Sequence, residues 1–260
     1  MIRWPAEAVW EAVQPLLPGF TVEVLPQVDS TNTELMRRAR AGQNEPVLLV
    51  AEQQSAGRGR LGRDWHSSPG DSLTFSLGLP LAPPDWSGLS LAVGVALAES
   101  LHPEVRIKWP NDLWLGERKL CGILIETATP VAAPAAAGVG AAPARYTVIG
   151  VGINIAPRPG DGLRTPPASL SELLPGVDAG QALLRIAAPL VQAVQAFEVF
   201  GFAPFQARFN ARDLLRDRAV ALSDGSSGTA HGASESGALL VHTAGGMLPV
   251  TSSEVSVRPA

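Results

Sequence analysis

Residues 54–65 read QSAGRGRLGRDW, so three arginines alternate with three glycines ahead of a tryptophan. Glycine lets backbone N–H groups approach a ligand closely, and arginine offers a permanent charge and a planar fork for phosphate or carboxylate oxygens. Three arginines within six residues would repel one another if no anion or acidic partner were present. The segment is therefore predicted to bind an anion, and the alternative is a solvated glycine–arginine turn.

The spacing Gly57-x-Gly59-x-x-Gly62 also fits the dinucleotide-binding fingerprint, which needs a strand before it and a helix after it. Residues 47–51 have the pattern of a buried strand, but Pro69 and Gly70 would break a helix that began after the loop. The missing helix excludes a Rossmann loop. The segment is instead predicted to be a long ligand-binding loop between strands, and to become ordered as a lid when its ligand binds.

Composition limits the class of protein. A chain of 260 residues with 46% hydrophobic content can bury the core of one large domain and leave a small second one. The net charge of −4 argues against binding nucleic acid by overall charge, so the arginine cluster is a local feature that suits a small ligand. Cys121 is the only cysteine and the four histidines show no metal-ligand spacing, which predicts a reducing compartment and no histidine–cysteine metal site.

Two further features concern location. No stretch approaches the roughly 18 uninterrupted apolar residues of a membrane span. The first 19 residues carry acidic side chains where a signal peptide would be apolar. These features predict a cytoplasmic protein without membrane association.

Hydrophobic periodicity and breaker residues predict helices over 5–17, 31–42, 89–101, 182–200 and 204–215. They predict strands over 21–28, 47–51, 72–79, 105–108, 119–126 and 146–155. Thr31 and Glu34 form a capping box for the second helix, Gly42 ends it, and Pro189 should bend or break the fourth. Residues 128–144 are rich in Ala, Pro and Gly and are predicted to form a mobile loop. Beyond residue 217, short β-prone runs at 220–222, 239–242 and 255–257 predict a small β-barrel or sandwich.

A second cluster of polar residues is Lys108-Trp109-Pro110-Asn111-Asp112. Pro110 fixes the backbone of a turn that can present a cation, an amide and a carboxylate together. The carboxylate could hold Mg²⁺ through its oxygens, and Asn111 could contact a base or a phosphate. A generic Pro-Asn-Asp turn without function is the alternative.

Further polar residues interrupt apolar strands. Lys119 begins a predicted buried strand, and Gly122 inside it indicates close approach of a ligand, whereas Cys121 is predicted to be a packing residue. The segment 150–154 places two glycines and Asn154 in another strand. The cluster 29–32 places two hydroxyls at the positive end of the second helix, either as ligand contacts or simply as a cap.

With these residues assembled, the chain resembles the biotin protein ligases. That family's motifs are matched in order by DSTN (29–32), GRGRLGRDW (57–65), KWPND (108–112), KLCGIL (119–124) and GVGIN (150–154). Residues 237–240 and 254–258 resemble its C-terminal segment. The resemblance implies an α+β fold, with a mixed central sheet flanked by helices over residues 1–213 and a small SH3-like β-barrel over 214–260.

The resemblance also implies a two-step reaction. Biotin's carboxylate attacks the α-phosphorus of Mg-ATP to give biotinyl-5′-AMP and pyrophosphate, and the acyl group then passes to a lysine of a biotin carboxyl carrier protein. ATP and Mg²⁺ are the implied cofactors, and biotin is the substrate. Two anions must meet despite their repulsion, which calls for fixed cations rather than a protein nucleophile.

Site residues carried over from the family fall into three groups. The expected catalytic residues are Arg60, Asp112 and Lys119, of which Arg60 and Lys119 neutralise the carboxylate and the α-phosphate. The expected biotin-binding residues are Ser30, Thr31, Gln54, Gly57, Arg58, Arg60, Lys119, Gly122 and Leu124. The expected ATP-binding residues are Arg63, Trp65, Lys108, Asn111, Lys119 and Asn154, with Trp65 covering the adenine. Asp112 is also expected near the metal or the attacking lysine amine.

Some members of this family carry an N-terminal winged helix and repress transcription. Only 29 residues precede Ser30 here, which is too few for a complete helix-turn-helix module in front of the main domain. We therefore expect a monofunctional ligase that does not bind DNA and that is a monomer or homodimer. Two alternatives remain open: a lipoate protein ligase with the same acyl-adenylate chemistry, and a non-catalytic biotin- or nucleotide-binding module.

Overall fold

The structure is a computed structural model that describes residues 2–128, 144–160, 165–223, 225–251 and 257–259. Its helices are α1 (Ala6–Val13), α2 (Thr31–Arg40), α3 (Leu89–Leu101), α4 (Ala179–Phe200) and α5 (Ala203–Arg212). Its strands are β1 (Thr21–Val28), β2 (Val47–Gln54), β3 (Ser72–Leu81), β4 (Arg106–Lys108), β5 (Asp112–Leu115), β6 (Arg118–Ala128), β7 (Arg145–Asn154), β8 (Ala219–Leu222), β9 (Ser227–Ala233), β10 (Leu239–Thr243), β11 (Gly246–Val250) and β12 (Val257–Pro259). Most of the predicted loop at 128–144 lies outside the described residues.

The first seven strands form one mixed sheet. Their order is β1-β2-β3-β7-β6-β5-β4, in which β1 and β2 pair in parallel and the other neighbours pair antiparallel. Strand alternation sends side chains to two faces, and each face has its own core. Leu49 lies with Leu35 of α2 in the smaller core, whereas Leu48 and Val50 lie in the larger core with α1, α3, α4 and α5. The predicted mixed sheet flanked by helices is confirmed.

The last five strands form a second, antiparallel sheet in the order β11-β10-β9-β8-β12. This arrangement agrees with the expected small SH3-like domain. The sequence did not predict β9 and β11, because β9 is rich in small and polar residues and β11 contains Pro249. The predicted division at residue 213 falls between the end of α5 and the start of β8, and it stays a prediction.

The two sheets are joined by contacts that involve the Lys-Trp-Pro-Asn-Asp segment. The buried indole of Trp109 donates from Nε1 to the carbonyl oxygen of Gly237, 3.1 Å away in the turn between β9 and β10. Gly237 has a φ of +82° and lies so close to α3 that a β-carbon on it would be 2.7 Å from Cα of Gly88. The second sheet therefore packs directly against the turn that precedes β5.

Asp213 lies at the end of α5, where the chain leaves the first sheet. Its Oδ1 accepts from the backbone N–H of Leu215 at 2.9 Å, and its Oδ2 is enclosed without a hydrogen-bond partner among the described residues. Burial raises the pKa of this carboxyl to about 6, whereas the hydrogen bond from Leu215 lowers it.

Helix α2 begins one residue earlier than the predicted capping box. Ser30 is the N-cap and its hydroxyl accepts from the backbone N–H of Thr33, so the assignment of Thr31 as the cap is wrong. Glu34 pairs with Arg37 and Arg38 instead of reaching back to the cap. The predicted end is confirmed, because Gly42 has a φ of +86° and its N–H bonds to the carbonyl of Ala39.

Helix α4 also differs from its prediction. It begins at Ala179 behind an Asp178–Gln181 capping box and continues through Pro189 as one helix. A break at Pro189 is therefore wrong, whereas a bend there stays a prediction. By length and composition alone it could cross a membrane, but its apolar face is buried in the larger core and packs on α1 and α3. Packing in this core accounts for the apolar composition of α4.

Candidate active site

A pocket opens beside the N-terminus of α2, over the ends of β6 and β7. Its cavity volume is about 50 Å³, and it opens to solvent. Ten of the residues predicted for biotin or ATP line it: Ser30, Thr31, Gln54, Arg58, Arg60, Trp65, Asn111, Lys119, Gly122 and Leu124. Gly57, Arg63, Lys108, Asp112 and Asn154 are not among the lining residues. The structure therefore brings most of the predicted site into one cavity.

The floor of the pocket exists because β7 carries glycine on one face. Gly150 and Gly152 alternate with the buried Ile149, Val151 and Ile153. A β-carbon on Gly150 would be 2.8 Å from Cγ of Asn32, and one on Gly152 would be 2.7 Å from Nε1 of Trp65. The glycines leave the space that these two larger side chains occupy.

One wall is a buried hydrogen-bond network at the start of α2. Gln54 Oε1 accepts from the backbone N–H and the hydroxyl of Thr31, at 2.8 and 3.2 Å. Ser76 Oγ lies 2.7 Å from both the Thr31 hydroxyl and Asn32 Oδ1. The amide nitrogen of Asn32 donates to the carbonyl of Leu124 and to Glu126 Oε2. Donors and acceptors are thus fixed in position beside an α-helix N-terminus, which favours polar and anionic groups.

Sequence reasoning missed Asn32, Gly59, Phe75, Ile123, Gly150, Val151 and Gly152 as lining residues. The signal for Asn32 was available, since it is a buried amide directly after the two hydroxyls of the 29–32 cluster. The contribution of Phe75 depends on strand pairing, because β3 lies beside β7 in the sheet.

The glycine–arginine loop forms the opposite wall as a compact turn. Trp65 donates its backbone N–H to Gly57, and Gly59 donates to Arg63, at 2.9 and 2.7 Å. Gly57 itself is buried under the backbone of Trp65 and does not line the pocket. The loop contains one 3₁₀ turn and then enters β3 without an α-helix, which confirms that it is not a Rossmann loop. Whether a ligand orders this loop stays a prediction.

Two cations, Arg60 and Lys119, line the pocket. Lys119 Nζ lies 2.8 Å from Asp112 Oδ1, and Arg60 Nη1 donates to Asn111 Oδ1 at 3.1 Å. Asn111 in turn donates to the carbonyl of Ile123, which fixes the amide that Arg60 contacts. Burial lowers the pKa of Arg60, Asp112 raises it and Arg63 lowers it further. A half-buried guanidinium with a repelling neighbour is stabilised by an anion placed next to it.

Arg58, the other arginine that lines the pocket, has a carboxylate partner. Arg58 Nη2 lies 3.2 Å from Glu126 Oε1, and Nη1 approaches the hydroxyl of Thr33 at 3.4 Å. Glu126 also accepts from Asn32, so this ion pair joins the loop to the hydrogen-bond network of α2. Arg58 holds the loop against the network through this contact.

Trp65 lies between the floor and two cations. Lys119 Nζ is 5.9 Å and the Arg158 guanidinium 5.4 Å from the ring centroid. The ring packs on Gly152 and approaches Gly122, and its Nε1 is enclosed without a partner among the described residues. An aromatic face beside cations suits a nucleobase whose phosphates lie nearby.

The other predicted residues serve different contacts. Lys108 directs its ammonium to the Trp114 ring, 5.4 Å from the centroid, and lies outside the pocket lining. Asn154 is buried and its amide nitrogen donates to the carbonyls of Lys119 and Ala168, at 3.1 and 2.9 Å. Asp112 begins β5 rather than lying in the turn, and it contacts the pocket through Lys119. Cys121 is fully buried, and burial raises the pKa of its thiol, which agrees with a packing residue.

The residues present do not form a metal cage. Among the described residues there is no group of three or more His, Cys, Asp or Glu side chains that could hold a metal ion. Asp112 is occupied by its ion pair with Lys119. Protein side chains alone therefore do not fit a bound metal here, and Mg²⁺ would be carried mainly by phosphate oxygens, as is usual for this ion.

Comparisons with known proteins agree with this geometry. The model of the biotin/lipoate A/B protein ligase family matches residues 24–142. The bifunctional ligase/repressor BirA of Salmonella typhimurium is 35% identical over 96% of this chain and 78% of its own length. The biotin–acetyl-CoA-carboxylase ligase of Paracoccus denitrificans is 31% identical over 89% of this chain and 98% of its own.

Among solved structures, the biotin protein ligase from Aquifex aeolicus in complex with biotin and ATP superposes with a TM-score of 0.75. It is 28% identical and covers 92% of this chain and 99% of its own. The fold, the order of the motifs and the relatives matched over most of their length lead to one conclusion: the chain belongs to the biotin/lipoate A/B protein ligase family.

Proposed function

We propose that this chain is a biotin protein ligase that activates biotin with ATP and transfers it to a lysine of an acceptor protein. The observation that carries the proposal is that Arg60 and Lys119 line the same pocket as the hydrogen-bonding residues of α2. The uncharged donors and acceptors at the start of α2 suit the ureido ring of biotin. Arg60 and Lys119 suit the carboxylate and the phosphate that must react.

Biotin is assigned to the inner part of the pocket. Ser30, Thr31 and Gln54 offer the donors and acceptors that a ureido group requires, and Gly122 leaves room for the ring over β6. Arg58, Gly57 and Leu124 complete this half of the proposed site, with Gly57 acting through the fold of the loop rather than by contact. The biotin carboxylate then points toward Arg60 and Lys119.

ATP is assigned to the outer part. Trp65, Asn111 and Lys119 line the same pocket. We assign Trp65 to adenine, and Asn111 and Lys119 to the phosphates. Arg63 is included because its charge acts on Arg60. Lys108 and Asn154 lie outside the lining, so their proposed contribution to ATP binding is indirect.

In the first step a carboxylate oxygen of biotin attacks the α-phosphorus, the bond to the bridging oxygen breaks, and pyrophosphate leaves. Arg60 and Lys119 reduce the repulsion between the two anions and stabilise the charge that develops on the phosphoryl oxygens. In the second step the acceptor amine attacks the acyl carbon, AMP leaves with the electrons of the carbon–oxygen bond, and the amine loses a proton. Asp112 Oδ1 lies 2.8 Å from Lys119 Nζ and holds that ammonium in place. We also assign to Asp112 the role of guiding the attacking amine toward the acyl carbon.

The proposed acceptor is a biotin carboxyl carrier domain of a carboxylase, since the Paracoccus relative is named for acetyl-CoA carboxylase. The proposal includes a cytoplasmic location, a monomer or homodimer, and no DNA binding. Biotin-dependent binding of specific DNA in a gel shift at moderate salt would contradict the last of these.

The decisive experiment is ATP–pyrophosphate exchange with purified protein. Exchange should depend on biotin and fail with lipoate, whereas lipoate-dependent exchange would favour the lipoate ligase. Absence of exchange with either acid would favour a binding module without catalysis. The chain has only two lysines, Lys108 and Lys119, which gives a matched pair of variants. Lys119→Ala should lose roughly 100-fold or more in exchange rate, and Lys108→Ala much less. Near-normal exchange in Lys119→Ala would remove Lys119 from the mechanism.

A further inference from the structure

Arg158 follows β7 and lies on the same tryptophan that is proposed to carry adenine. Its guanidinium carbon is 5.4 Å from the centroid of Trp65, and its Nη1 donates to the carbonyl of His66 at 2.9 Å. No motif singled out this residue, which lies four residues beyond Asn154. Arg158 is not among the residues that line the pocket, but its guanidinium lies against Trp65, which does line it.

Arg158 differs from the neighbouring cations Arg58 and Lys119 in having no carboxylate partner among the described residues. Arg58 pairs with Glu126 and Lys119 pairs with Asp112. Arg158 has no carboxylate within 4.0 Å in the part of the chain that the structure describes. Its Nε is enclosed and has no acceptor there, and burial lowers its pKa. A buried donor without a partner is costly, so the position favours a ligand that supplies an acceptor.

The geometry of the guanidinium narrows the choice of ligand. Nη1 is engaged by His66, so a ligand would use the edge formed by Nε and Nη2, and the enclosed Nε must become accessible when that ligand binds. That edge presents two parallel N–H groups, which match two oxygens of a phosphate in bidentate fashion. A nucleotide that stacks on Trp65 would bring its polyphosphate next to this edge. The contact between Arg158 and the Trp65 ring does not supply a hydrogen-bond acceptor for the enclosed Nε.

We propose that Arg158 is a nucleotide-binding residue that contacts the polyphosphate of ATP through its Nε–Nη2 edge. This inference rests on the proposed function, because it takes Trp65 as the platform for the base. Arg158 adds a cation for the phosphates that Arg60 and Lys119, placed at the carboxylate and the α-phosphate, leave unneutralised. It acts on nucleotide binding and not on biotin, whose residues lie at the start of α2.

The test compares Arg158→Ala with a control of the same geometry. Arg145 lies 5.8 Å from the Trp86 ring, so Arg145→Ala removes another arginine stacked on a tryptophan, outside the pocket lining. The measurements are the KM for ATP in exchange and the dissociation constants of biotin, AMP and a non-hydrolysable ATP analogue by calorimetry. Arg158→Ala should raise the KM for ATP and the analogue's Kd about tenfold and leave biotin and AMP within about threefold. Arg158→Lys, which keeps the charge without the fork, should fall between.

Several outcomes would overturn the proposal. For Arg158→Ala, these outcomes are an unchanged KM for ATP, an equal loss of affinity for AMP and for the ATP analogue, or a parallel loss of affinity for biotin. The same effect in the control Arg145→Ala would also overturn it. An equal loss for AMP would assign Arg158 to the base rather than to the polyphosphate. If the proposed function itself is wrong, the wild-type protein will show no biotin-dependent exchange, which is a different result from any of these.

Discussion

Gly152→Ala is the sharpest test of the assignment of Trp65. A β-carbon on Gly152 would lie 2.5 Å from Cζ2 and 2.7 Å from Nε1 of the indole. Carbon atoms in contact need about 3.5–4.0 Å, so the ring must move by roughly 1 Å. Overpacking of this kind costs about 1–3 kcal/mol. Stacking of a base on an aromatic ring contributes about 1–3 kcal/mol, so a displaced platform should weaken ATP binding on the order of tenfold or more.

Two other glycine variants serve as controls. Gly94→Ala in α3 places a methyl at the ordinary distance of 3.4 Å from Ile107, so it should leave both ligands unaffected. Gly150→Ala pushes a methyl against Asn32 and should weaken biotin binding more than ATP binding. Calorimetry with biotin and with a non-hydrolysable ATP analogue measures each effect, and thermal unfolding separates loss of affinity from loss of fold.

The reasoning fails if Gly152→Ala binds the ATP analogue within twofold of the wild type at an unchanged Tm. In that case either the ring moves without consequence or adenine does not stack on it. It also fails if Gly152→Ala and Gly150→Ala weaken both ligands equally, because the pocket would then lack separate halves for biotin and ATP.

Three further predictions concern stability and reactivity. Trp109→Phe should lower the free energy of unfolding by about 1 kcal/mol because the Gly237 carbonyl loses its donor. Trp114→Phe should cost less, because it removes an Nε1 that has no partner among the described residues. Urea denaturation compares the two variants, and equal losses would contradict this prediction. Asp213 has a folded pKa of about 6, above its unfolded value of about 3.9, so the penalty is absent below pH 4 and complete above pH 6. Asp213→Asn should therefore gain up to about 3 kcal/mol in free energy of unfolding relative to the wild type between pH 4 and pH 7, and a pH-independent difference in urea denaturation would refute it. The Cys121 thiol, buried with a raised pKa, should not react with a disulfide reagent at pH 8 until the protein unfolds, and rapid reaction of the folded protein would contradict its burial.

Local patterns predicted those parts of the site that depend on a few neighbouring residues. Pro69 and Gly70 indicated that no helix follows the loop at 57–65, and the two glycines of 150–154 were placed in a strand. Both expectations depend on backbone sterics within a short segment, which the sequence states directly. The predicted end of a helix was less accurate where two neighbouring side chains can serve as its N-cap, as Ser30 and Thr31 can for α2.

Contacts between distant segments could not be predicted in the same way. The ion pair of Arg58 with Glu126 joins residues that are far apart in the chain, and it depends on the glycine–arginine loop and α2 both lying against β6. Lys108 shows the converse, since its place in a motif suggested a ligand contact but its ammonium faces Trp114. Membership of a motif gives proximity along the chain, whereas the direction of a side chain is set by strand pairing and packing.

Asn154 shows how a motif residue can act without lining the pocket. Its amide nitrogen bonds to the carbonyls of Lys119 and Ala168, which ties the end of β7 to the start of β6. The backbone of Lys119 is held further by its hydrogen bond to Pro166, and the ammonium is held by Asp112. The proposed role of Lys119, which is to meet two anions, would gain from such restraint, because a fixed charge needs little reorganisation when the reaction occurs. We therefore infer that Asn154, predicted to bind ATP, acts by positioning Lys119.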